Sequence, residues 1–230
     1  MRIGVVVFPG SNCDRDLMEA VELHTGSKVE TLWHKEKDLK GCDMVFLPGG
    51  FSYGDYLRSG AIAAQAPVME AVRRHAASGG LVMGICNGFQ ILCESGLLPG
   101  ALLRNTSMQF VCSTVLLKPE NTDLAVTRAY RRDETYTIPI AHGEGRFFAD
   151  DNTLRQIEEN GQVMFRYCDA AGEATEAANP NGSLNNIAGI CNAGRNVFGM
   201  MPHPERAAFL HSGNMDGAPL FKSLIGELAI

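Results

Sequence analysis

From residue 2 to residue 94 the chain alternates short apolar runs with stretches of helical periodicity, and this alternation restricts the fold more than any other feature. Residues 2–8, 44–47 and 81–85 are continuous apolar runs, and 28–33 alternates; each has the length of a strand. Between them, 14–23, 69–77 and 87–94 have helical spacing, with Pro67 placed where a first helical turn accepts it and Gly79-Gly80 and Gly96 as stops. Strands apolar on both faces must be covered on both faces. The pattern therefore predicts an α/β fold, an open and mostly parallel sheet flanked by helices. Ligands of such sheets bind beyond the carboxyl ends of the strands, which here means the loops after Phe8, Leu47 and Ile85.

The second half changes character. Residues 110–117, 136–140, 162–167, 187–191 and 196–200 read as strands, and 153–159 as a helix. A last helix over 218–229 repeats Leu220, Phe221, Leu224, Ile225 and Leu228 at helical spacing, which predicts that it docks on the core. The polar stretch 170–186, with Asn179-Pro180-Asn181-Gly182, reads as a long surface loop. No linker-like tract divides the 230 residues, so one domain over 1–230 is expected.

Charge and cysteine content exclude several classes of function. Twenty-six acidic against 20 basic side chains, with no Lys/Arg cluster, leave no footprint for nucleic acid or an anionic membrane. No apolar run approaches the roughly 18 residues of a membrane span, and a soluble cytoplasmic protein is expected. The seven cysteines are an odd number without a CxxC pair, so neither a disulfide framework nor a metal site follows. GxxxxGK[ST] and GxGxxG are both absent, so no nucleotide cofactor is expected in this chain.

Gly84-Ile85-Cys86-Asn87-Gly88 lies between a predicted strand and a predicted helix, the layout of a nucleophile elbow. There a strained turn lifts one side chain out of the sheet, and a helix N-terminus favours the thiolate. Such a nucleophile needs a base. Of six histidines, His203 has the most informative surroundings, Met201-Pro202-His203-Pro204-Glu205-Arg206. Pro204 biases His203 towards an extended backbone, and from there Glu205 can reach one ring nitrogen and leave the other for Cys86. Pro48-Gly49-Gly50-Phe51 follows a strand and could aim N–H groups, with that of Asn87, at a developing oxyanion. Ala141-His142-Gly143-Glu144-Gly145-Arg146 also follows a strand, and its glycines would let the backbone approach a ligand. Cys93, Cys112, Cys168 and Cys191 read as core packing.

Together these features resemble the class I, triad-type glutamine amidotransferases. The strings Pro9-Gly10-Ser11-Asn12-Cys13-Asp14, PGGFSYGDYLR from Pro48, GICNGFQ from Gly84, IPIAHGEGR from Ile138, NPNGS from Asn179 and MMPHPER from Met200 narrow the resemblance. They are similar to the glutaminase-subunit family of phosphoribosylformylglycinamidine synthase. The resemblance implies a flavodoxin-like fold with Cys86, His203 and Glu205 as catalytic residues. It places the oxyanion donors at Gly50 and Asn87, glutamine contact at Gln90, and the hold on its amino-acid end at Gly143 and Glu144. Gly49, Phe51 and His142 complete the expected glutamine site. It also implies a separate synthetase chain (PurL) that carries ATP and magnesium, and a small third subunit (PurS). Residues 105–114 depart from the family pattern in lacking basic residues, with Gln109 and Ser113 in their place, and the glycine within 192–196 falls one position early. Service to another synthetase, a thiol protein of similar fold without amidotransfer, and a silent regulatory partner are the alternatives.

Overall fold

The computed structural model describes residues 1–225. Its elements are β1 (Ile3–Val7), α1 (Asp14–Thr25), β2 (Val29–Trp33), β3 (Met44–Leu47), α2 (Pro67–Ala77), β4 (Leu81–Ile85), α3 (Asn87–Glu94) and β5 (Ala101–Leu103). They continue with β6 (Val111–Pro119), β7 (Tyr136–His142), β8 (Arg146–Phe148), α4 (Asp151–Glu159), β9 (Val163–Cys168), β10 (Ile187–Cys191), β11 (Val197–Met200) and α5 (Ala218–Ser223).

Nine strands form one mixed sheet in the order β2-β1-β3-β4-β11-β10-β9-β6-β7. The first five run parallel, and β10, β9, β6 and β7 extend them as an antiparallel wing. β3 is buried along its length and β4 nearly so, as strands covered on both faces must be. β2 is the edge, and only Leu32 of its five residues is buried. The expected alternation there yields a single core contact, because an edge strand has cover on one flank only.

α3 lies over β4 so closely that seven of its eight residues are buried. Its glycines permit this. A Cβ at Gly88 would stand 2.0 Å from the Leu47 carbonyl oxygen, and one at Gly84 would stand 2.5 Å from Gly88. The spacing of the two glycines thus seats the helix on the sheet and fixes the turn between them.

One element is added and three expectations are corrected. β5 and β8 pair as a separate two-stranded sheet that the sequence did not indicate. The stretch 170–186 is not simply a surface loop: it holds two short 3-10 turns, and Asn181, Ser183 and Asn186 are buried in it. In the last helix Leu220, Phe221 and Leu224 are buried while Ile225 stays half-exposed at 44%, off the buried face. Leu228 and the remainder of that expected helix lie outside the described residues. Cys112 is exposed rather than packed in the core, because it falls on the open face of β6.

Candidate active site

β4 delivers Cys86 to the carboxyl edge at the centre of the parallel strands, between β3 and β11. Its φ of 51° and ψ of −108° place a non-glycine residue in a sparsely populated region, a strain of about 1–3 kcal/mol that the surrounding packing must hold. The Cys86 N–H donates to the Met200 carbonyl at 2.8 Å, which ties the elbow to the end of β11. The thiol is 5% exposed.

β11 runs parallel to β4 and ends three residues before His203, so the two chemical groups arrive at the same edge. The His203 N–H donates to the Pro139 carbonyl on β7 at 2.9 Å. Its Nδ1 and Glu205 Oε1 are 2.6 Å apart, and both side chains are buried. The route differs slightly from expectation. Pro204 keeps His203 non-helical at φ −102° and ψ 85° but then opens a 3-10 turn, and Glu205 reaches back from within that turn. Burial works against a charged imidazole here, yet the charges of Glu205 and Cys86 hold the His203 pKa well above its ordinary value. With Nδ1 engaged by the carboxylate, Nε2 has no hydrogen-bond partner among the described residues, and His203 shares with Cys86 the wall of a cavity of about 110 Å³. A thiol, an imidazole and a carboxylate are thus brought into one constellation, as the sequence indicated.

A larger cavity of about 290 Å³ also has Cys86 in its wall. Gly50, Phe51, Gln90, His142, Gly143 and Glu144 line it, so six of the eight expected glutamine-site residues meet there. Gly49 does not. Its role is spatial, since a Cβ there would come within 2.7 Å of His203 Cε1. Asn87 works from behind the wall: its Oδ1 accepts from the Ser52 N–H at 3.1 Å, and its Nδ2 donates to Gln90 Oε1 at 2.9 Å. Gln90 Nε2 in turn donates to the Glu144 carbonyl at 2.6 Å. This chain joins the loop after β3, the helix after the elbow and the loop after β7 into one frame.

One expectation about the glycine loop changes. The Phe51 N–H is taken by the Gly10 carbonyl at 2.9 Å, so it is not available to an oxyanion, and Phe51 contributes its ring to the cavity wall instead. His142 is also specific in what it can do. Burial and the nearby His203 charge lower its pKa to about 4, and neither ring nitrogen finds a hydrogen-bond partner among the described residues. It is a neutral wall near pH 7.

Sequence reasoning missed several contributors. Asp55, Ser59, Arg104 and Phe110 line the larger cavity. Asp55 and Glu144 bring negative charge and Arg104 positive charge to one enclosure, which suits a zwitterionic amino acid. The Asp55 pKa is raised by burial and by the Glu144 charge, against a hydrogen bond from Ser59 that lowers it. Asn105, fully buried, holds the loop after β7 from within: its Nδ2 donates to the His142 carbonyl at 2.9 Å and its Oδ1 accepts from Gly145 N–H at 3.0 Å. Asn181 Nδ2 donates to the Gly145 carbonyl at 2.9 Å from the far side. Asn105 carried no local signal beyond the glycines it braces, and Asn181 stood in the NPNGS string with no role assigned to it.

The profile of the CobB/CobQ-like glutamine amidotransferase domain matches residues 1–218. A protein of Gloeobacter violaceus named phosphoribosylformylglycinamidine synthase subunit PurQ is 58% identical over 227 residues, covering 99% of this chain and 98% of its own. Its namesake in Thermus thermophilus is 56% identical over 229 residues and the full length of both chains. Among solved structures, a chain of PurLQS from Thermotoga maritima superposes with a TM-score of 0.87 at 44% identity, over 99% of this chain and 98% of that one. A glutamine amidotransferase of Thermotoga maritima, at 14% identity and a TM-score of 0.58 over 99% of this chain and 91% of its own, shares the fold.

Proposed function

Because this chain belongs to the CobB/CobQ-like glutamine amidotransferase family, we propose that it is the glutaminase subunit of a phosphoribosylformylglycinamidine synthase, acting in purine biosynthesis. One observation carries the chemistry. Cys86, on a strained elbow, shares a cavity with a buried His203 whose second nitrogen is held by Glu205.

Glutamine enters the larger cavity with its side-chain amide towards Cys86. Cys86 passes its thiol proton to His203 as its sulfur attacks the amide carbon; a C–S bond forms, and the carbonyl oxygen becomes an oxyanion that accepts from the Gly50 and Asn87 N–H groups. His203 then gives its proton to the amide nitrogen, the C–N bond breaks, and ammonia leaves a γ-glutamyl thioester on Cys86. Next His203 takes a proton from water, the resulting hydroxide attacks the thioester carbon, and the C–S bond breaks to release glutamate as His203 returns the proton to the Cys86 sulfur. Glu205 keeps the imidazole in one tautomer and stabilises its cation throughout. Asp55 and Glu144 hold the α-ammonium group and Arg104 the α-carboxylate.

The ammonia passes to a synthetase chain of the PurL type, with ATP and magnesium bound there, for conversion of formylglycinamide ribonucleotide to its amidine. A third subunit of the PurS type completes the complex. The naming of PurQ relatives and the superposition on a chain of PurLQS support this assignment of partners. No helix among the described residues is long and apolar enough to cross a membrane. The cytoplasm is the compartment proposed for the reaction.

The test is Cys86→Ala in the reconstituted complex. Glutamine-dependent synthesis is expected to vanish while synthesis from added ammonium continues at the wild-type rate. Equal loss of both activities would make Cys86 a structural residue and overturn the assignment.

A further inference from the structure

The position before α1 is one where serine, threonine, aspartate or asparagine ordinarily caps the helix through a side-chain oxygen. Here it is Cys13, and its sulfur makes no bond to its own helix. The thiol is 2% exposed and turned elsewhere. It donates to Asn12 Oδ1 at 3.1 Å and accepts from Arg206 Nη2 at 3.1 Å. Arg206 follows the catalytic carboxylate directly in the chain and is itself fixed by Asp16, its Nε donating to Asp16 Oδ2 at 3.2 Å. The start of α1 therefore grips the turn that carries His203 and Glu205.

Three further observations aim this grip at the imidazole. A ligand-type atom of each of Cys13, His203 and Glu205 lies within 4.8 Å of the others, all three residues being buried. A Cβ at Gly49 would meet His203 Cε1 at 2.7 Å and Cys13 Sγ at 3.0 Å, so both side chains rest against that glycine. The small cavity between His203 and Cys86 has Cys13 and Arg206 in its wall. Glu205 fixes one end of the ring only, and a ring held at one end can still tip.

We propose that Cys13, anchored by Arg206, is a positioning residue that holds the His203 imidazole against Gly49 with its free nitrogen towards Cys86. The thiol hydrogen is committed to Asn12, which leaves the sulfur lone pairs for Arg206 and for the ring. They favour the imidazolium that forms when Cys86 gives up its proton. The charged and titratable groups around the ring are Glu205, Cys86, Cys13 and His142, with Arg206 beyond Cys13.

This inference rests on the glutaminase reading above, and the experiment separates the two. Wild type, Cys13→Ala and Cys13→Ser are compared in the complex with the synthetase, and kcat and KM for glutamine are measured across pH beside ammonium-dependent synthesis. For Cys13→Ala we expect kcat to fall about tenfold, as for a reacting group displaced by a fraction of an ångström. KM and the ammonium-dependent rate should not change. The alkaline limb of kcat/KM should move down by about half a pH unit, because the cation loses an acceptor. Serine, which keeps a donor and an acceptor, should restore most of the rate. A superimposable pH profile for the alanine variant, or serine no better than alanine, would reduce Cys13 to packing and overturn the proposal. A wild-type complex that uses ammonium but not glutamine would instead refute the glutaminase reading itself.

Discussion

Replacing the carboxylate of Glu205 by an amide of the same shape separates electrostatics from packing at the heart of the site. Glu205 is fully buried and bonded to His203 Nδ1, so Glu205→Gln leaves the cavity intact but removes the charge that stabilises the imidazolium. We expect kcat for glutamine hydrolysis to fall by about 10²-fold with KM little changed; lost glutamine binding would contradict the role given to Glu205. His142 permits a second residue-scale prediction, because its proton affinity is moved in the opposite sense to that of His203. Its folded pKa of about 4 lies below the ordinary 6.5, so the unfolded chain binds the additional proton in between. Stability linked to His142 is present above about pH 6.5 and drains away as the pH falls towards 4, a loss of about 3 kcal/mol. The His203 contribution has the other sign: it is complete below pH 6.5 and is lost as the pH rises through its elevated folded pKa. Urea unfolding at pH 7 and pH 4.5 should therefore show a smaller acid loss for His142→Gln than for wild type, and equal losses would contradict a buried neutral His142.

At the scale of elements the glycine pair of the elbow is the most exacting feature. In Gly88→Ala the new methyl would collide with the Leu47 carbonyl, which is backbone and cannot turn aside. Either α3 lifts off β4 or the strands part, and we expect destabilisation of about 1–3 kcal/mol with loss of most glutaminase activity. Thermal unfolding and a glutamine assay on the same preparation would check this; a variant with wild-type Tm and rate would mean that the helix is not seated as described. The elbow was readable from sequence because strand, nucleophile, glycines and helix are contiguous. The His203 and Glu205 pair was readable because only Pro204 separates them. By contrast, Cys13 and Arg206 meet across 193 positions, and Asn105 and Gly145 across 40, with nothing in the local pattern to announce either contact. β5 and β8 are three residues each, too short to show a period. Residues 170–186 are polar in composition, and only the packing around the loop after β7 shows that Asn181 and Ser183 turn inward to hydrogen-bond it.

For the whole molecule, the sheet places every group of the constellation at one edge. β3, β4 and β11 run parallel as neighbours and each ends in a functional loop, while the antiparallel wing supplies β7 and the glycines that follow it. Around the cavity mouth the loop after β3 holds Tyr53, Asp55 and Leu57 at positive φ and leaves Tyr56 and Leu57 exposed at 74% and 90%. A strained, apolar rim of this kind is suited to being remodelled when another chain covers it. The protein is thus best tested within its complex, and the central claim is that the nitrogen of glutamine passes through this chain's site to a product made elsewhere. The most direct measurement combines this chain, the synthetase and small subunits, ATP, magnesium, formylglycinamide ribonucleotide and glutamine labelled with heavy nitrogen at the amide, in unlabelled ammonium, with mass spectrometry of the amidine. The account predicts label in the amidine with intact Cys86 and none with Cys86→Ala. Product carrying only unlabelled nitrogen, or label that persists without Cys86, would contradict it.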